Sequence, residues 1–202
     1  MPSKKRRVRA KPVSVSSIEQ RHSVFPHELN PRDKMFGGAV YSLEDIHAEQ
    51  IFELHADGMH GVTLGHDKGR YFQPVQKGDT LVLRGSLNRA WRTSCEIGMK
   101  VFRIDYKDGK PIYVPVTRGY FTYVCDEFDE QGKRKEIPTV VPRTKEQKRR
   151  YEEAGLRRAI SILLDSVPKE KQGEALRTQF ETLKTFFEAN GIPIPRAALE
   201  SI

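Results

Sequence analysis

An α+β domain, with one long helix laid along an antiparallel β-sheet and a helical extension behind it, is the architecture expected of these 202 residues. Two observations carry that expectation. From Gly37 to Leu54 apolar side chains recur at the spacing of a helix. From His60 to Asp126 the text changes to strand-length runs rich in β-branched and aromatic residues, "TLVLRGSLNRA", "TSCEIGMKVFRI", "PIYVPV" and "GYFTYVCD".

Taken in order, residues 1–20, "MPSKKRRVRAKPVSVSSIEQ", are basic and hold little that could be buried, so they are expected to form a disordered arm. Its "KKRRVR" run has the look of a nuclear address or a nucleic-acid contact, but such runs are commonly solvated tails. Residues 21–142 are expected to form the domain. In its helix, Val40, Leu43, Ile46, His47, Ile51 and Leu54 should pack on the sheet. Asp45 then projects from the other side beside Tyr41, Ala48 and Phe52, a second, partly apolar stripe that a second copy of the chain could cover. "YKDGKP" marks a hairpin with Asp108-Gly109 at its tip. Residues 143–202 should be a helical extension. "TKEQ" at Thr144–Gln147 is a capping box, Ser166-Val167-Pro168 restarts a second helix, and Asn190-Gly191 stops it. Leu176, Phe180, Leu183 and Phe187 give that second helix an apolar stripe in need of a cover.

The charge balance, 35 Lys+Arg against 27 Asp+Glu, favours anionic partners: nucleic acid, acidic lipid or a phosphorylated cofactor. Cys95 and Cys125 sit in strand-like runs without CxxC spacing, which fits a reduced, cytoplasmic protein. No apolar run approaches the roughly 18 residues of a membrane span.

The chemistry concentrates in "NPRDKMFGGAVYSLED", residues 30–45. A helix N-terminus leaves backbone N–H groups unpaired under a positive partial charge, and Gly37-Gly38 would let a substrate oxygen approach them with no Cβ in the way. Asp45, two turns along, could accept a proton from water. Donor and base together suit hydrolysis of an acyl group. Taken alone, the same residues also fit a tight turn and a solvated helix charge.

That segment resembles the opening of hotdog-fold acyl-CoA thioesterases of the brain-type acyl-CoA hydrolase group. The likeness continues through "VTLGHDKGRYFQPVQKGD", "RTSCEIGMKV", "RGYFTYVCDEFDEQGKRKEIP" and "VPRTKEQKRRYEEAGLRR", covering about residues 27–158. The resemblance implies a hotdog fold, a sheet wrapped around one central helix, and hydrolysis of fatty acyl-CoA without cofactor or metal. It implies that Asn30 holds the attacking water or the thioester, that Asp45 acts as general base or nucleophile, and that Gly38 donates its amide to the thioester oxygen. In such enzymes the Asn and the acid come from opposite subunits, so a homodimer or a hexamer built as a trimer of dimers is implied. Arg92, Thr93 and Ser94 align with a segment near the coenzyme A, with Arg92 as candidate phosphate fork.

Two departures stand out. Arg32-Asp33-Lys34 replaces the Asn-Gly or Gly-Asn of many relatives, and His66-Asp67 stands where they carry an apolar residue and an acid. His66 reads as a surface or strand-edge residue. His22, His27, His47, His55 and His60 show no metal-ligand spacing, and His47 is expected to pack. Two other functions compete: an acyl-CoA-sensing hotdog protein without turnover, and a nucleic-acid-binding module. The last is not favoured, because "YFTYV" carries no interleaved basic residues.

Overall fold

The computed structural model describes residues 9–194. Five strands form one antiparallel sheet in the order β2 (Ile18–Ser23), β4 (Thr80–Ala90), β5 (Ser94–Lys107), β6 (Lys110–Cys125) and β3 (Gly61–Tyr71). Helix α1, Gly37–His55, lies on one face, and β1 (Ala10–Pro12) pairs in parallel with β7 (Thr139–Val141) in a separate two-stranded sheet. The expected α+β architecture is therefore present. The hairpin forms where "YKDGKP" places it, with Asp108 and Gly109 both at positive φ, as a two-residue type I′ turn requires.

The packed face of α1 is not the expected one. Val40, Glu44, His47, Ala48, Ile51, Phe52 and His55 are buried, whereas Ile46 and Leu54 are 53% and 48% exposed. The true face is turned toward Asp45 by somewhat less than the ~100° step between residues. Glu44 and His55 lie on it beside His47, and counting only apolar positions hides those two.

The arm is also corrected. Residues 10–20 are ordered: Val13 and Ser16 are buried, and Ser16 Oγ lies 3.3 Å from His55 Nδ1. Lys11 donates its Nζ to the carbonyls of Leu54 and His55 at 3.2 and 2.7 Å and pairs with Asp57 at 2.7 Å. A basic residue that composition assigns to solvent thus caps the C-terminus of α1. Most of "KKRRVR" lies outside the described residues.

The chain divides into two compact units at Ala154, not at residue 142. The first turns of α2 (Lys145–Ser166) belong to the first unit, where Ala154 is buried and Tyr151 packs on the core. The capping box is made: Gln147 N donates to Thr144 Oγ1 at 3.1 Å and Thr144 N to Gln147 Oε1 at 3.2 Å. In the second unit α3 (Gln172–Ala189) buries none of its residues, and its end is closed by Ile192 N donating to Phe187 O at 2.8 Å past Gly191 at φ 61°. Among the described residues no helix is long and apolar enough to cross a membrane.

Candidate active site

The glycine pair opens α1, with Phe36 as its N-cap and no side-chain cap. Ala39 N and Val40 N both turn to Phe36 O, at 3.0 and 3.2 Å. The amides of Gly37 and Gly38 donate to no backbone carbonyl among the described residues. A Cβ on Gly38 would meet nothing within 4 Å, and the residue is exposed. Gly37 is held from outside: Tyr71 donates its hydroxyl to Gly37 O at 2.7 Å, and its ring lies 3.5 Å from where a Cβ would stand. Beside them runs a cleft of about 300 Å³ lined by Met35, Gly37, Val40, Tyr71, Phe72 and Val116, among others.

Asn30 lies in the loop before the helix, which it shapes. Its Oδ1 accepts from Arg32 N at 2.8 Å and from Lys34 N at 3.2 Å, an Asx turn. The side-chain hydrogen bonds found for Asn30 among the described residues use Oδ1.

Asp45 is half-buried between helix and sheet edge. Its Oδ1 accepts from Thr63 Oγ1 at 2.6 Å and from the Tyr123 hydroxyl at 2.7 Å. Thr63 belongs to β3, an edge strand of the sheet, so the carboxylate stands where a second chain could add. Seven residues of helix, about 10 Å of axis, separate Asp45 from Gly38 in one chain.

The structure does not bring Arg92, Thr93 and Ser94 to that glycine pair. Tyr71, beside Gly37, is opposite Thr117 on β6, while Ser94 is opposite Val124. These positions are seven residues apart along β6, about 23 Å. Arg92 is exposed and faces Glu136 at 3.8 Å, and Thr93 O accepts from Cys125 N at 2.8 Å.

Sequence reasoning missed Glu44, which is 1% exposed on the packed face. Burial raises its carboxyl pKa to about 7, and a 3.4 Å bond from Thr117 Oγ1 pulls only weakly the other way. Nothing but its neighbour Asp45 in the text marks it, since an acid on a helix is normally solvated. Thr63, Tyr71 and Tyr123 were likewise read as strand residues. His66 is on edge strand β3, as expected of a strand-edge histidine, but it is packed against Phe121 at 4.4 Å and Tyr41 at 5.0 Å. Gly69 and Gly119 make room for its ring, and burial lowers its pKa against the pull of Asp67 and Asp45. His47 packs, fully buried, with Nε2 3.4 Å from Ile18 O.

One histidine expectation is corrected. His60 joins Glu49 and Glu53, with ligand atoms all within 4.8 Å, because the turn after α1 folds β3 back beside the helix. His60 Nδ1 is already hydrogen-bonded to Glu53 at 3.0 Å on an exposed surface. Cys95 and Cys125 are free and buried, and burial pushes the Cys95 thiol pKa up.

Residues 34–109 match the family model described as the thioesterase superfamily. Protein VdlD of Helicobacter pylori is 32% identical over 131 residues, covering 65% of this chain and 72% of that protein. The mouse protein named acyl-coenzyme A thioesterase 11 is 26% identical over 155 residues, 75% of this chain. This chain spans only 25% of the length of that relative. Among solved structures, an apo-hexameric acyl-CoA thioesterase superposes with a TM-score of 0.70 at 30% identity, covering 80% of this chain and all of that one. An acyl-CoA hydrolase from Staphylococcus aureus, solved with butyryl coenzyme A and coenzyme A, superposes with a TM-score of 0.64 at 24% identity over 89% of this chain and 99% of its own, a likeness of fold.

Proposed function

The chain belongs to the thioesterase superfamily of hotdog-fold proteins, and from that membership we propose that it hydrolyses fatty acyl-CoA to free fatty acid and coenzyme A at a site shared by two subunits. The observation that carries the reading is the pairing of an open Gly38 amide at a helix N-terminus with an acid, Asp45, set at the sheet edge.

The chemistry needs three parts. The thioester carbonyl oxygen lies against the Gly38 N–H, whose dipole and hydrogen bond stabilise the negative charge that develops there. Asp45 takes a proton from water as that water attacks the carbonyl carbon. The tetrahedral intermediate then collapses, the C–S bond breaks, and the proton passes to the departing coenzyme A thiolate. Thr63 and Tyr123 hold Asp45 with one of its oxygens occupied, leaving Oδ2 to face the water.

About 10 Å of helix separates the two groups within a chain, too far for both to reach one carbonyl. A second chain, added along β3 with its helix antiparallel, would bring Gly38 and Asn30 of the partner subunit to Asp45. Leu64, 70% exposed on β3, and the exposed Val62 and Ile46 give that edge apolar surface to bury. The solved relative called hexameric supports an assembly of this kind. A cytoplasmic location belongs to the same reading, supported by the mouse relative named a cytosolic acyl coenzyme A thioester hydrolase and by the two unpaired thiols.

The test is release of free coenzyme A from acyl-CoAs of graded chain length by wild type and by Asp45→Ala. Turnover by the former and a loss of at least about a hundredfold in the latter are expected. An Asp45→Ala protein of undiminished activity would remove Asp45 from the mechanism.

A further inference from the structure

The outward face of the sheet, away from α1, carries a row of like charges. Arg84 on β4 is directly opposite Lys100 on β5, Lys100 opposite Arg118 on β6, and Arg118 opposite Arg70 on β3. Residues opposite one another on adjacent strands share a face and stand about 4.8 Å apart in the hydrogen-bonding direction, so the four cations span about 14 Å in a line. Like charges set directly opposite destabilise a sheet. Arg84 is compensated by Glu19 at 2.6 Å and Lys100 lies within electrostatic reach of Glu146, but among the described residues Arg118 and Arg70 form no ion pair. Glu146, which borders the same surface, is bonded to Arg149 at 2.6 Å.

Three clefts with shared lining residues lie between the glycine pair and Arg84, Lys100 and Arg118 of this row. The cleft beside Gly37 shares Phe72 and Gln73 with a second of about 410 Å³. The second shares Lys100, Phe102 and Arg118 with a third of about 520 Å³, which also holds Arg84. We propose that the row Arg84, Lys100, Arg118 and Arg70 holds the phosphate groups of the coenzyme A half of the substrate, which reaches it from Gly37-Gly38 round the corner of the sheet at Phe72. This inference rests on the thioesterase reading above. A diphosphate and a separate ribose phosphate match several cations in a line better than one arginine fork.

Two other occupants fit less well. A second copy of this surface would meet its own cations. Single-stranded nucleic acid needs open aromatic faces for its bases, yet the rings of Phe72, Phe102 and Tyr113 already carry guanidinium groups. Arg84 lies 5.3 Å from the Phe102 ring centre and 4.5 Å from that of Tyr113, and Arg70 and Arg118 lie 5.5 and 5.7 Å from that of Phe72.

The experiment uses the full chain and a Lys100→Gln/Arg118→Gln double variant. It measures turnover of an acyl-CoA and of the corresponding phosphate-free acyl-pantetheine, and calorimetric binding of adenosine 3′,5′-bisphosphate. The double variant should raise KM for acyl-CoA at least about tenfold, leave kcat/KM for acyl-pantetheine within about twofold, and weaken bisphosphate binding by about tenfold or more. An unchanged KM for acyl-CoA overturns the proposal, as does tight binding of a single-stranded oligonucleotide that the bisphosphate does not displace. If wild type cleaves neither thioester, the hydrolase reading falls, and the bisphosphate arm alone decides the site: binding lost in the variant keeps it, binding unchanged or absent in wild type ends it.

Discussion

The Tyr123 hydroxyl lies 2.7 Å from the Asp45 carboxylate and 2.8 Å from the Asp45 carbonyl, tying the centre of helix α1 to the core of strand β6. The same Oδ1 accepts from Thr63 at 2.6 Å on the neighbouring edge strand. One oxygen of the acid is thus fixed by two strands that are themselves paired.

Tyr123→Phe and Thr63→Val should each lower kcat by about ten- to a hundredfold with KM little changed, because they free Asp45 without touching the substrate. The check is steady-state kinetics beside thermal melts. A variant that melts as wild type and turns over at the full rate would remove the positioning role.

The two glycines at the helix start should answer differently from the glycine beneath the helix. Gly38→Ala meets no neighbour within 4 Å, so stability should hold or rise by up to about 1 kcal/mol. Its methyl would stand beside the proposed oxyanion amide, and kcat/KM should fall at least about tenfold. Gly85→Ala places a Cβ 2.3 Å from Ile51 Cδ1 and 2.5 Å from Met99 Sδ, so it should cost about 1–3 kcal/mol by overpacking where helix meets sheet. Denaturant melts and kinetics on both variants separate these effects.

Glu44 should give stability a pH dependence of its own. Its folded pKa, about 7, lies above the ordinary 4.5, so the native state binds the proton more tightly. That contribution is complete below pH 4.5 and is lost as pH rises through 7, by at most about 3 kcal/mol. His47 and His55, whose pKa values burial lowers, act in the opposite sense and weaken the fold as pH drops through 6.5. Glu44→Gln should therefore flatten the loss between pH 5 and 8 and keep the acid-side loss. Melts across that range in both proteins provide the comparison; parallel curves would show that Glu44 titrates alike in the folded and unfolded chain.

The sheet edge offers a test of assembly. Leu64→Lys puts a charge on the most exposed apolar residue of β3. It should yield a smaller species in size-exclusion chromatography with activity reduced together with assembly. Full-size, fully active protein would place the subunit contact elsewhere.

Much of this was legible in the residues, and the failures share a cause. The strands, the Asp108-Gly109 turn and the Thr144–Gln147 capping box depend on local chemistry, and all three are present. The packed face of α1 differs from the expected one because Glu44 and His55 sit on it, and a polar residue shows that it is buried only through partners distant in sequence, such as Thr117 and Pro138. The arm was misjudged for the same reason: Lys11 is a helix cap only once His55 and Asp57 are beside it. Of the proposed site, Asn30, the glycines and Asp45 could be picked out because their spacing is local. The distance along the sheet from the glycine pair to Ser94 within one chain, and the row of cations from Arg84 to Arg70, depend on strand order and register, which no single run of residues displays.

Complementation between two inactive chains tests the shared site most directly. Asp45→Ala and Asn30→Ala proteins, each nearly inactive alone, are mixed, dissociated and reassembled. If acid and amide come from opposite subunits, half of the dimers pair the two variants and one of their two sites is intact, so activity should return to about a quarter of wild type. If exchange is demonstrated and activity stays at the level of the parents, both groups act within one chain and the proposed seam is wrong.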